Sequence, residues 1–139
     1  MALGKIKADQ LEHSTAGSVD TQYVVNGSAK AYAHYDQVTT SLTVRNTLNC
    51  SSITDDGTGQ ATTNYTASLS DTYYVAAGHS GRDSATSVTA YWIFPTSDTT
   101  IAYSTSATSW KGGFNGGSSS ALTANNMIMN LMTLHGDLA

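Results

Sequence analysis

Residues 46–69 read NTLNCSSITDDGTGQATTNYTASL. Two runs suited to strands flank the sequence Asp55-Asp56-Gly57-Thr58-Gly59. Asp-Gly between such runs is a hairpin signal, because Gly accepts positive φ and Asp hydrogen-bonds its own backbone. In the second run Ala61, Thr63, Tyr65, Ala67 and Leu69 alternate with Thr62, Asn64, Thr66 and Ser68, the period of a strand with one wet face. The acidic turn also has a reading as a calcium loop. That loop needs further carboxylates at alternating positions and usually a bidentate Glu, and Gln60 stands where such an acid is wanted. The stretch therefore predicts a hairpin corner inside a β domain.

The same texture extends to both sides. From Tyr23 onward, short runs rich in Val, Thr, Tyr and Ile are separated by Gly, Asn, Asp and Ser. Asn26-Gly27 is a second hairpin signal. SLTVRNTLN (41–49) places Leu42 and Val44 on one face and Thr43 and Arg45 on the other. TYYVAAGH (72–79), SVTAYWIF (87–94) and TTIAYSTSA (99–107) read as further strands, with Pro95, the sole proline, closing the second of them. Near the C-terminus Met127, Met129 and Leu131 oppose Ile128, Asn130 and Met132, and the glycine run before them favours a strand over a helix.

Residues 1–13, MALGKIKADQLEH, differ from the rest. Lys, Asp and Glu crowd together there, and Ile6, Ala8 and Leu11 form one short face, on a segment too short to be a stable helix alone. STAGSVDTQ (14–22) reads as a linker or extended arm. Residues 1–22 are thus expected to be an extended or helical arm that becomes ordered against a partner, with Ile6, Ala8 and Leu11 as its docking residues. Residues 23–139 are expected to form the β domain.

A chain of 139 residues suits one core. Charged residues make up 12% and Ser plus Thr more than a quarter, a balance that fits hydroxyl-faced strands better than helices. The net charge of −4 and six scattered basic residues argue against nucleic-acid binding. No apolar run approaches 18 residues and no signal-peptide core follows Met1, so neither membrane insertion nor general secretion is expected, and synthesis in a cytosol is.

Chemistry-bearing patterns are sparse. Cys50 stands alone and reads as a buried small hydrophobe. His13, His34, His79 and His135 show no zinc or iron spacing, and no metal or cofactor is expected. The one arrangement left open is a single His on a symmetry axis, for which His135 is the choice. No nucleophile elbow occurs, and Glu12 is the sole Glu, so catalysis is not expected. In TSWKGGFNGG (108–117), Trp110 and Phe114 are read as candidate faces for sugar stacking, with Lys111 and Asn115 as hydrogen-bond donors. The alternative is that these aromatics tuck against the core or a neighbouring subunit. Tyr73-Tyr74 and Tyr91-Trp92 are read as core and interface.

Three stretches together, AKAYAHYDQ, LTVRNTLNCSSITDDGTGQATTNYTASLSDTYYV and the terminal LHGDLA, resemble the C-terminal module of tail-fibre-like proteins of tailed bacteriophages, especially those of marine and cyanobacterial hosts. Ala29 to Tyr35, Arg45, Ser51 to Gly59 and Gly136 to Leu138 carry the likeness. The opening GKIKADQLEHSTAGS resembles the short N-terminal segment of such fibres. The likeness covers most of residues 29–78 and the last few residues, and fades between 80 and 130. It implies an antiparallel, jelly-roll-like β-sandwich and a homotrimeric virion protein, assembled in the host cytoplasm. Its arm would attach to other virion subunits, and its distal loops would contact a host-surface glycan or protein during adsorption. The chain departs from the usual layout in lacking a long shaft, which leaves open a capsid decoration protein or head fibre that stabilises the particle.

Overall fold

In a computed structural model the described residues are 8–38, 41–81, 88–95, 103–116, 123–127 and 129–139. The protein is an all-β antiparallel sandwich, as the strand-like texture predicts, with one short helix among the described residues. The chain begins with a hairpin, β1 (Gln10–His13) and β2 (Gly17–Asp20), followed by α1 (Thr21–Gly27). The sandwich strands are β3 (Ala31–Asp36), β4 (Thr43–Leu48), β5 (Cys50–Gly57), β6 (Gln60–Tyr65), β7 (Val75–Gly81), β8 (Val88–Pro95), β9 (Ala107–Gly116), β10 (Thr123–Ala124) and β11 (Met129–His135).

One sheet has the order β4-β3-β11-β7. In the other, β9 is central: β8 lies along one edge, β6 and then β10 along the opposite edge, and β5 outside β6. Every pairing is antiparallel. Alternation then decides what is inside. Ala31, Ala33 and Tyr35 from β3 and Met132 and Leu134 from β11 meet Ala61 and Tyr65 from β6, Ile93 from β8 and Trp110 from β9. Leu69 and Tyr74 close one end of this core.

Gly78 shows how closely the sheets approach at β7. A Cβ there would lie 2.6 Å from Ile93 Cγ2 and 3.5 Å from the Trp110 ring, so only glycine fits between the sheets at that point.

The Asp55–Gly59 stretch is the hairpin corner that its turn chemistry predicts, pairing Gly57 with Gln60. The backbone N–H of Gly57 donates to Asp55 Oδ1 at 3.1 Å, and Gly57 and Gly59 both take positive φ. Strand β11 likewise confirms the preference for a strand near the C-terminus.

Three local expectations are corrected. Asn26-Gly27 is not a hairpin turn but the last turn of α1. The chain leaves β2 at Asp20, and the Thr21 N–H and hydroxyl bond to the Asp9 and Ala8 carbonyls, at 2.9 and 2.7 Å, which starts a helical turn. The segment read as an extended linker, 14–22, contains the turn and second strand of the N-terminal hairpin. In 99–107, residues 99–102 lie outside the described residues and 103–106 form a turn. There the Ser104 hydroxyl accepts the Ala107 N–H at 2.9 Å, and Tyr103 makes only an isolated bridge to Thr108.

Candidate functional site: an exposed N-terminal hairpin and helix

The part of the fold that stands apart is residues 8–27. Leu11 and Val19 lie directly opposite each other in the β1–β2 pairing, so they share one face of the ribbon. Both are exposed. Gly17 makes the return possible with φ of +89°. At the base, Gln10 Nε2 donates to Asp20 Oδ1 at 2.7 Å, and Thr21 ties the strand start to the helix.

Helix α1 buries none of its residues, and Tyr23 is 64% and Val25 56% exposed. Seven residues cannot hold a helix by propensity alone. Its anchors are few. Lys30 Nζ donates to the Val25 carbonyl, and it also bonds Ser28 Oγ at 3.1 Å. His135 Nδ1 lies 3.1 Å from the Gly27 carbonyl oxygen. The helix is therefore pinned at its C-terminal end, while Leu11, Val19, Tyr23, Val24 and Val25 offer apolar surface to solvent.

Two shallow depressions flank this unit. One, of about 640 Å³, is lined by Asp9, Gln10, Asp20, Thr21 and Gln22. The other, of about 300 Å³, runs beside Leu11, Ala16 and Val19. The arrangement suits macromolecular contact, with apolar anchors inside a polar rim.

Of the docking residues expected from sequence, Ala8 and Leu11 lie at the start of this hairpin and are exposed, whereas Ile6 lies outside the described residues. Val19, Tyr23, Val24 and Val25 join Leu11 on this unit. The run Val-Asp-Thr-Gln-Tyr-Val-Val carried one signal for that reading, an Asp at position 20 of the type that precedes a helix, which puts Tyr23 and Val24 in the first turn.

For the candidate sugar-contact stretch, the structure puts Trp110 where the alternative reading had it, against the core. TSWKGGFNGG is not a loop but most of β9, the central strand of its sheet. Trp110 is 0% exposed and packs in the core, so it cannot present a face to a sugar. The alternation along β9 dictates this, since Trp110 opposes Ala61, itself an inward residue. Lys111 is half-buried beside Gln60 and points away from Trp110 across the strand. Phe114 and Asn115 pair through their backbones with Tyr91 and Ala90, and their side chains lie outside what is described.

Tyr74 is buried as expected for core, and Tyr73 is 91% exposed. The phenol of Tyr74 and that of Tyr65 both meet the Thr108 hydroxyl, and Tyr74 also donates to the Ser104 carbonyl at 3.2 Å. Burial pushes both phenols above their ordinary pKa. Tyr35 is raised too, first by burial and then by the carboxylates of Asp55 and Asp56.

At the corner, Asp56 Oδ2 accepts from Thr62 Oγ1 at 2.6 Å, and Gln37 Nε2 donates to the Gln60 carbonyl at 2.8 Å. These carboxylates serve the turn. Among the described residues no group of three His, Cys, Asp or Glu is placed to hold a metal ion. Cys50 is half-buried rather than in the core. Its thiol lies 3.4 Å from the Ser52 carbonyl, and burial raises its pKa, which disfavours the thiolate.

No helix among the described residues is long and apolar enough to cross a membrane. Compared with protein-family models, with curated proteins and with solved structures, the chain matches none of them.

Proposed function

We propose that the protein is a structural subunit of a bacteriophage particle, attached through residues 8–27 and working as a homo-oligomer. The observation that carries the attachment role is the N-terminal unit. Its apolar residues Leu11, Val19, Tyr23, Val24 and Val25 are exposed, beside a sandwich that already has its own core. A segment with so little packing of its own gains order by docking, and the ordering cost is met by the partner surface. The phage assignment rests on the likeness of residues 29–78 and of the chain ends to tail-fibre modules.

Within that role the favoured reading is a short fibre or adhesin whose sandwich faces a host-surface glycan or protein. Several weak contacts per particle then add to useful avidity. A second reading, a capsid decoration protein or head fibre that stabilises the particle, gains from the burial of Trp110, which removes the aromatic platform on which sugar stacking depended.

Density mapping of phage particles that carry the chain tests both readings. A few copies at the tail support the fibre, a lattice of copies over the capsid supports decoration, and absence from the particle overturns the proposal. Leu11→Asp combined with Val24→Asp is expected to abolish incorporation while leaving the sandwich folded. Normal incorporation of this variant would sink the docking role of the arm.

A further inference from the structure

The two sheets of the sandwich differ in what they turn outward. In the β9-centred sheet the outward residues of β5, β6 and β9 are polar: Ser52, Thr54, Thr62, Asn64, Ser109 and Lys111. They bond one another, as when Asn64 Nδ2 donates to Ser52 Oγ at 3.1 Å and Thr62 Oγ1 meets Ser109 Oγ at 2.9 Å. Its hydroxyls and amides are satisfied within the sheet, with Thr62 and Ser109 buried and Ser52 and Thr54 exposed.

The β4-β3-β11-β7 sheet turns a mixed set outward, in which exposed apolar side chains stand among neutral polar ones. Its inward residues are Ala31, Ala33, Tyr35, Met132 and Leu134, so its outward set is fixed by alternation. One cross-strand row reads Leu48, Tyr32, Thr133, Ala77, and the next reads Asn46, His34, Leu131, His79. Met129 extends the surface over Gly81, where a Cβ would lie 2.9 Å from Met129 Cε. Val75 extends it at the other end, opposite His135. Leu48, Val75, Met129 and Leu131 are all exposed. A groove of about 340 Å³ runs through this face, lined by Ala77, Gly78, His79, Leu131, Met132 and Thr133.

Charge is nearly absent from it. The only formally charged residues in the four strands are Asp36 and Arg45, at one end, and they neutralise each other at 2.8 Å. A partner recognised by charge finds nothing to hold here. Two copies of a chain with net charge −4, by contrast, can meet on this face without bringing like charges together.

The dimensions also suffice. Four strands at the usual spacing, each six or seven residues long, give a footprint of roughly 20 by 20 Å before side-chain relief is counted. Two such flat faces together cover about 800 Å², and the relief of Leu48, Val75, Met129 and Leu131 brings the area removed from water to about 1,000 Å², the lower bound for a specific interface.

We infer that the outer face of the β4-β3-β11-β7 sheet is a self-association surface, occupied by a second copy of this chain with Leu131 near its centre. This rests on the proposal that the protein works as an oligomer, and it names the face that does so. The N-terminal unit remains free to bind other subunits.

Sedimentation velocity on the full chain tests it, with Leu131→Lys and Val75→Lys as face variants and Leu11→Lys as an arm variant. Far-UV circular dichroism shows that each is folded. Both altered side chains are already exposed, so neither Lys has to enter the core. The wild type is expected to sediment as an oligomer at concentrations on the order of 100 µM, with each face variant weakening self-association by about tenfold or more through juxtaposed like charges. Leu11→Lys is expected to self-associate as the wild type does. A wild type that stays monomeric, or face variants that remain oligomeric, would overturn the inference. Loss of particle incorporation by Leu11→Lys, with its self-association intact, reports on the arm alone, so failure of the virion role and failure of this face are separable.

Discussion

The backbone N–H of Gly112 donates to the carbonyl of Gly59 at 2.7 Å, which locks the β5–β6 corner onto the central strand β9. The Gly59 N–H in turn donates to Asn126 Oδ1 at 2.7 Å, and the Asn125 N–H to the Gly112 carbonyl at 3.1 Å. Three segments distant in sequence thus converge on one glycine. A Cβ at Gly59 would lie 2.4 Å from the Gly112 oxygen and 2.7 Å from the Asn125 nitrogen, all backbone atoms that cannot swing aside.

Gly59→Ala is therefore expected to cost about 2–4 kcal/mol, combining the strain of positive φ with overpacking. Gly57, with φ of +134° and nothing within 4 Å of an added Cβ, lies outside the left-handed α well and carries backbone strain without crowding. Gly57→Ala therefore isolates the strain term. Urea unfolding midpoints measure both variants, and a Gly59→Ala protein as stable as the wild type would show that neither strain nor crowding acts there.

The corner was legible from sequence because its determinants are local: Asp55 caps its own turn and Gly57 supplies the backbone freedom. The alternation in 61–65 was legible for the same reason. Thr62, however, sits on the face expected to be wet and is buried, because Asp56 and Ser109 fold over it. TSWKGGFNGG misled because four glycines ordinarily break a strand, and here Gly112 and Gly113 are buried where Gly59 and Asn125 approach the β9 backbone. Only the tertiary pairing reveals that need. Asn26-Gly27 misled in the opposite sense, since an Asn-Gly pair that suits a hairpin also suits the end of a short helix. What chose between them was the Thr21 contact to residues 12 and 13 positions earlier.

Asp36 is buried at 2% exposure, and its two oxygens have two partners: Arg45 Nη2 at 2.8 Å and the Val38 N–H at 2.8 Å. Removing the guanidinium leaves a carboxylate with half its contacts in a place water reaches poorly. Arg45→Ala is expected to destabilise by about 1–2 kcal/mol, below the figure for a fully buried pair because Arg45 itself is half-exposed. Asp36→Asn in the Arg45→Ala background should recover part of that loss. A double-mutant cycle on unfolding free energies measures the coupling, and a value near zero would show that the pair does not stabilise the fold.

The buried phenols set an alkaline limit. In the folded protein the Tyr35, Tyr65 and Tyr74 hydroxyls titrate above the ordinary tyrosine range, with burial the leading cause in each case. A raised folded pKa means that folding favours the protonated phenol. The associated stability is fully present below the unfolded value of about 10 and is lost as pH rises past it. The unfolding midpoint should be insensitive to these groups at neutral pH and fall above about pH 10. Tyr65→Phe should flatten that fall, because it removes one of the titrating phenols. Denaturant melts across alkaline pH test this, and a slope unchanged in Tyr65→Phe would assign the alkaline loss to other groups.

Trp110 decides whether β9 serves the core or a ligand. Its ring is fully buried between the sheets, against Gly78 and among Ile93 and Ala61. Its Nε1 has no hydrogen-bond partner among the described residues. Trp110→Ala therefore removes a large inward ring from a packed site and is expected to cost about 3–5 kcal/mol. Trp110→Phe keeps most of the ring and deletes the unpartnered donor. The volume lost is then offset by relief of a buried polar group worth about 1–3 kcal/mol, so this variant should lie much closer to the wild type. Chemical denaturation ranks the three proteins. If Trp110→Ala were as stable as the wild type, the ring would not be part of the core, and the sugar-stacking role excluded here by its burial would return.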